Sequence, residues 1–132
     1  MNGSLSVADV MRRDYVGVNE GDSVAGAAEL IHQEGAGSAL VLRGREPVGI
    51  LTARDVVEVV ASGADPADLS VENAMREPAV TVDRDADLAE AIGAIVDRGV
   101  RQLAVVGEEG VVGIVSEHDI VTAPTVLSAA GR

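Results

Sequence analysis

Gly49-Ile50-Leu51-Thr52-Ala53-Arg54-Asp55 returns 64 positions later as Gly113-Ile114-Val115-Ser116-Glu117-His118-Asp119. Each stretch is a glycine, two apolar residues, a hydroxyl residue, two variable residues and an aspartate. Working outward at the same shift, Val41 meets Val105, Gly35 meets Gly99, Ile31 meets Ile95, Ala27 meets Ala91, Val18 meets Val82 and Val16 meets Val80. At the near end Ser6-Val7-Ala8-Asp9-Val10-Met11-Arg12 meets Ser70-Val71-Glu72-Asn73-Ala74-Met75-Arg76, and at the far end Val57 meets Val121. No gap is needed from Leu5 to Val57. Roughly a third of the aligned positions are identical, against about a tenth expected by chance from this composition. The chain is one unit written twice.

Both copies read alike. A short helix is expected to open at Ser6 and again at Ser70, each an N-cap residue. A brief strand follows, Tyr15–Val18 or Ala79–Val82. Next comes an amphipathic helix with apolar positions Val24, Ala27, Ala28 and Ile31, or Leu88, Ala91, Ile92 and Ile95. That spacing lines one helical face. Ser23 caps the first of these helices; Asp87-Leu88-Ala89-Glu90 has the form of a capping box for the second. Gly35 and Gly99 stop them. Two apolar strands come next, Ser38–Leu42 and Val48–Leu51, joined through Arg43-Gly44-Arg45-Glu46. The second copy has Gln102–Val106 and Val111–Val115, joined through Glu108-Glu109-Gly110. Strands this apolar are expected to be buried on both faces. A last helix starts after Thr52 or Ser116. About 60 residues is near the lower limit for an independent core, so the two copies are expected to pack on each other with pseudo-twofold symmetry through their sheets. The fold class is α/β (α+β), two β-α-β-β-α units. The first unit spans residues 5–62 and the second 69–123, with a linker at 63–68 and a tail at 124–132.

Composition excludes several functions. The 132 residues are 47% hydrophobic, too apolar for a disordered chain. There is no Cys, Trp or Phe, no Lys among the 10 cations, and one Tyr, Tyr15. A disulfide framework, thiolate metal site, thiol nucleophile, Schiff-base lysine, Walker A lysine and aromatic stacking platform are therefore excluded. His32 and His118 without Cys offer no zinc constellation, and no Ser/His/Asp arrangement is indicated by spacing, so no enzyme is expected. The net charge of -12 opposes attraction to nucleic acid and to anionic lipid. No basic n-region, apolar h-region or membrane-spanning run is visible, which points to the cytoplasm.

The doubled heptad, with the matching Val7-to-Met11 and Val71-to-Met75 segments, resembles a tandem pair of cystathionine-β-synthase (CBS) domains, also called a Bateman module. The resemblance covers nearly the whole chain. It implies a regulatory module, not a catalyst, that binds AMP, ADP, ATP or S-adenosylmethionine in clefts between the two units, with Mg as a companion of a polyphosphate. It also implies a disk-like homodimer and an energy-sensing role towards a regulated partner. The alternative is a nucleotide-independent interaction module acting on a partner enzyme or transporter.

Candidate site residues follow from the motif. A carboxylate is an acceptor suited to a ribose diol, and the resemblance gives Asp55 and Asp119 that role. The same residues, with Thr52 and Ser116, also form capping boxes; a cap and a ligand contact are compatible. Donors for phosphate are few: Arg54 and His118 in the variable pair, and Arg101, whose counterpart in the first copy is Gly37. By the resemblance, an adenine slot comes from Tyr15 and Val16 with Ala36, and from Ala79 and Val80 with Val100. These small apolar residues would serve a strand edge equally well, and Tyr15 could equally be a core aromatic.

The charge is spread, -5 over residues 1–66 and -7 over 67–132, so it is not an acidic tail. All ten cations being Arg in an Asp- and Glu-rich chain suggests a halophilic cytoplasm, where salt screens self-repulsion.

Overall fold

The chain is described by a computed structural model over residues 5–124; the part of the predicted tail from residue 125 onward lies outside the described residues. The elements run α1 (Val7–Val10), β1 (Gly17–Asn19), α2 (Val24–Glu34), β2 (Ser38–Arg43), β3 (Glu46–Thr52) and α3 (Ala53–Ala61). A 3-10 turn at Val71–Asn73 follows, then β4 (Thr81–Asp83), α4 (Leu88–Arg98), β5 (Gln102–Gly107), β6 (Gly110–Ser116) and α5 (Glu117–Val121).

Local grammar accounts for most boundaries. Ser23 Oγ accepts from the Gly26 N–H at 3.0 Å and opens α2. The Asp87 carboxylate accepts from the Glu90 N–H at 2.8 Å and opens α4. Both helices stop at glycines in the left-handed region, Gly35 at φ 65 and Gly99 at φ 64, where a side chain would be strained. One expected helix differs. After Ser6 an α-turn forms, because the Asp9 carboxylate accepts from the Ser6 N–H at 2.8 Å. After Ser70 only a 3-10 turn forms; there Asn73 replaces the aspartate and its amide donates to Ser70 Oγ at 2.9 Å instead.

Two three-stranded sheets result, ordered β1-β2-β3 and β4-β5-β6. In each, the first strand runs parallel to the central one and the third antiparallel. Of the apolar strands expected to be buried on both faces, the central ones are, with Ala39, Leu40 and Val41, like Leu103, Ala104 and Val105, fully buried. The outer ones are not, with Val48 and Ile50, like Val111 and Val112, half-buried because no further strand covers that edge. The helical faces match the spacing at Val24, Ala27 and Ile31 and at Leu88, Ala91 and Ile95. Ile92 is the exception at 42% exposed, since it lies at the edge of the buried stripe. The first strands begin later than the apolar pattern implied, at Gly17 and Thr81 rather than Tyr15 and Ala79.

The compact units do not follow the repeat boundaries. One gathers residues 15–79; the other gathers residues 5–14 with 80–124. Each opening segment is therefore part of the unit built on the other copy's sheet. In the second unit the Val7 N–H donates to the Ala86 carbonyl at 2.8 Å, and Arg12 and Ile114 exchange backbone hydrogen bonds of 2.8 and 3.0 Å. In the first unit the Val71 N–H donates to the Asp22 carbonyl at 2.7 Å, and Arg76 and Ile50 exchange bonds of 2.9 and 3.0 Å. Ile50 and Ile114 lie on outer strands whose outer edges would otherwise present unpaired backbone groups. The docking residues Val7 and Val71 are fully buried, each worth about 1.5–3 kcal/mol.

The signature glycines have a steric reason. A Cβ on Gly113 would sit 2.7 Å from the Arg12 carbonyl oxygen, and one on Gly49 would sit 2.9 Å from that of Arg76. Only glycine lets the opening segment cross so closely.

Candidate functional site

Strand direction collects the candidate residues. Because β1 and β2 are parallel and β3 returns antiparallel, the starts of β1 and β2 and the end of β3 share one end of the sheet. In the first unit that end carries Tyr15 and Val16, Ala36, and the Thr52–Asp55 turn. The Leu40 N–H donates to the Val16 carbonyl at 2.8 Å and the Ala53 N–H donates to the Gly37 carbonyl at 3.1 Å, which ties the three segments together. In the second unit the Ala104 N–H donates to the Val80 carbonyl at 2.9 Å and the Glu117 N–H to the Arg101 carbonyl at 2.9 Å. That end gathers Val80, Val100, Arg101 and the Ser116–Asp119 turn. Ala79 is the last residue of the first unit.

The two aspartates are anchored alike. Asp55 Oδ2 accepts from the Thr52 N–H at 2.8 Å, while Thr52 Oγ1 accepts from the Asp55 N–H at 3.1 Å. Asp119 Oδ2 accepts from the Ser116 N–H at 2.9 Å, and Ser116 Oγ from the Asp119 N–H at 3.1 Å. Of the three capping boxes read from the sequence, the one at α4 makes only the Asp87 carboxylate bond from the Glu90 N–H, without a return bond from Glu90, whereas those at Thr52–Asp55 and Ser116–Asp119 are formed. Each carboxylate has a second partner. Arg76 Nε donates to Asp55 Oδ1 at 3.1 Å, and Arg12 Nε donates to Asp119 Oδ1 at 3.2 Å. The aspartate side chains are 5% and 10% exposed, the arginines 63% and 64%. Carboxylates so held, buried at Asp55 and half-buried at Asp119, have fixed positions, while the arginine side chains are mostly exposed.

The remaining candidates divide. Arg54 is exposed and lies 3.6 Å from Glu58 on the next turn of α3, a loose surface pair. Arg101 and His118 are exposed in the second unit. Val16 and Ala36 pack in the core of the first unit, as do Val80 and Val100 in that of the second. Tyr15 is half-buried with its ring beside Gly17, where an added Cβ would lie 3.4 Å from Tyr15 Cε1. His32 is exposed at the end of α2. Among the described residues no three His, Cys, Asp or Glu side chains gather as a metal site, and no helix is long and apolar enough to cross a membrane.

Sequence reasoning passed over Arg12 and Arg76. The signal was present: both matched opening segments end in Met-Arg, and at the shift of 64 this is the one place where Arg meets Arg. What the repeat could not reveal is that each arginine reaches the other copy's aspartate.

The family model for the CBS domain matches the chain twice, over residues 7–62 and 70–125. The chain is 34% identical over 129 residues to uncharacterised protein MK0525 of Methanopyrus kandleri, covering 96% of this chain and 66% of that protein. Among solved structures, CBS domain protein PAE2072 of Pyrobaculum aerophilum, complexed with AMP, superposes with a TM-score of 0.83 at 19% identity, covering 96% of this chain and 98% of that one. The CBS domain pair of protein MJ0100, in complex with 5′-methylthioadenosine and S-adenosyl-L-methionine, gives a TM-score of 0.80 at 19% identity over 98% and 99% of the two chains. At these identities the two structures are similar to this chain in fold.

Proposed function

The chain belongs to the CBS-domain family, and from that premise we propose that it is a regulatory module binding an adenosine-containing ligand: AMP, ADP, ATP or an S-adenosylmethionine-like compound. The observation that carries this reading is the pair of equivalent, doubly anchored carboxylates, buried Asp55 and half-buried Asp119. The ligands named with the two solved relatives share one chemical part, an adenosine with a ribose diol. A carboxylate offers about four acceptor positions. Two on each aspartate are filled by a backbone N–H and an arginine Nε, which leaves two for a pair of hydroxyls. Thr52 and Ser116 add hydroxyls at the same turn, and Val16 with Ala36 or Val80 with Val100 supply small apolar surface for a base. The role is regulatory rather than catalytic: ligand would act by favouring one of two states for which its affinity differs.

The test is a set of thermal melts of ligand-stripped protein against AMP, ADP, ATP, S-adenosylmethionine and 5′-methylthioadenosine. Ligand at about 100 times its Kd should add roughly 2.7 kcal/mol of stability. Absence of a shift with all five compounds refutes the proposal.

A second reading, a nucleotide-independent interaction module, is favoured by one observation. Val57 and Val60 on α3 are 64% and 59% exposed, and Val96 on α4 is 70% exposed. A homodimer built on these faces, or capture of a regulated partner, would persist unchanged with and without nucleotide in sedimentation.

A further inference from the structure

We propose that Arg12 and Arg76 are the phosphate-binding residues of this module, so that it selects a phosphorylated adenosine ligand over an uncharged or cationic one. The inference rests on the adenosine-binding reading and narrows it.

Three observations lead there. First, each guanidinium is fixed at one edge only. Nε donates to Oδ1 of an aspartate that is itself held by a backbone N–H, and among the described residues no other side-chain partner engages Arg12 or Arg76. The four remaining N–H donors of each fork lie at the exposed end of a side chain that is 64% or 63% exposed. A preorganised planar fork suits a phosphate, and holding it in advance reduces the ordering cost of binding.

Second, the arrangement is built twice. Of the ten arginines, only Arg12 and Arg76 coincide under the repeat; Arg54 meets His118, Arg101 meets Gly37, and Arg13, Arg45, Arg84 and Arg98 each meet a glutamate. A solvated surface charge has no reason to recur at one position together with its buried partner.

Third, the charge balance requires it. A bare carboxylate that takes a ribose repels the phosphate attached to the same nucleoside. An arginine at 3.1 or 3.2 Å from that carboxylate offsets its charge and leaves four N–H donors for an anion. In a chain of net charge -12 this local pair supplies what the chain as a whole opposes. Arg101 adds a further cation in the second unit only.

The experiment is isothermal titration of the stripped full chain with AMP and with adenosine, in the wild type, in R12Q/R76Q and in R12K/R76K. Wild type should prefer AMP, and the Gln pair should weaken AMP by about tenfold to a hundredfold, the range of one charge-assisted hydrogen bond, while moving adenosine by less than about twofold. The Lys pair keeps the charge without the fork and should fall between, and it serves as the readout if the Gln pair does not fold. The AMP preference should also shrink below about pH 6, where the phosphate loses its second charge. Equal affinity of wild type for AMP and adenosine overturns the inference and leaves adenosine binding standing. So does a loss of equal size for both ligands, which would mean that the arginines only position the aspartates. Binding of neither compound by wild type removes the adenosine reading and this inference with it.

Discussion

Gly113→Ala would push a methyl group into the chain that crosses β6. The new carbon would lie 2.7 Å from the Arg12 carbonyl oxygen and 2.9 Å from Met11 Sδ. The sulfur can swing aside; the carbonyl cannot, because Arg12 and Ile114 hold each other by two backbone hydrogen bonds of 2.8 and 3.0 Å. If the segment stays, overpacking costs about 1–3 kcal/mol. If it lifts, two hydrogen bonds of about 0.5–1.5 kcal/mol each are lost, along with part of the burial of Met11, which is 9% exposed. The two routes together bracket a loss of about 1–4 kcal/mol, which for a chain of this size lowers Tm by on the order of 10 °C. The control is Gly93→Ala inside α4, where a Cβ meets nothing within 4 Å; removing a helical glycine there should stabilise by about 0.4–1 kcal/mol. Urea melts followed by circular dichroism measure both, and hydrogen exchange at the Arg12 amide reports whether the segment has lifted. A Gly113→Ala protein within about 0.5 kcal/mol of wild type, with its Arg12 amide still protected, would refute the steric account of the signature glycine.

Three further outcomes are expected. Asp55→Ala removes a helix cap and leaves the Thr52 N–H without its acceptor, for a loss of about 1–2 kcal/mol, whereas Asp55→Asn keeps an acceptor and should lose less; equal losses in denaturant melts would contradict the cap. Glu20 is held below its usual carboxylate range by hydrogen bonds from Arg43 of 2.8 and 2.9 Å and by that residue's charge. Its contribution is present above the unfolded value of 4.5 and is lost as pH falls through the lowered one, so Glu20→Gln should flatten the fall of Tm between about pH 5 and 3, and an unchanged slope would show that the pair is without effect. With a net charge of -12, Tm should rise from low salt to molar KCl as self-repulsion is screened, and a constant Tm would end the halophilic reading.

Local structure was legible where the determinants lie within a few residues. Thr52-x-x-Asp55 and Ser116-x-x-Asp119 specify capping boxes without outside help, and the three-residue buried runs around Leu40 and Ala104 announce central strands. Gly35 and Gly99 mark helix ends because few other residues tolerate their backbone. The exchange of opening segments was not legible, and for a physical reason. Ser6–Arg12 and Ser70–Arg76 carry nearly the same side chains, and the edges at Ile50 and Ile114 are nearly the same dock, so side-chain chemistry alone assigns neither segment to either edge. The arginine–aspartate pairs depend on that assignment and were hidden with it. The second opening turn failed on a single substitution, Asn73 for Asp9, which reverses the direction of a side-chain hydrogen bond. Ile92 was misplaced because apolar character at a helical position does not distinguish the middle of a buried stripe from its border.

The central claim is that Asp55 and Asp119 hold the ribose of an adenosine ligand. Its most direct test is the ligand-induced melting shift of Asp55→Asn/Asp119→Asn beside wild type, since asparagine retains an acceptor for each cap but puts donors where the diol needs acceptors. We expect a shift of roughly 2.7 kcal/mol in wild type at about 100 times Kd and almost none in the double variant. A double variant that shifts as far as wild type, or a wild type that does not shift at all, would contradict the account.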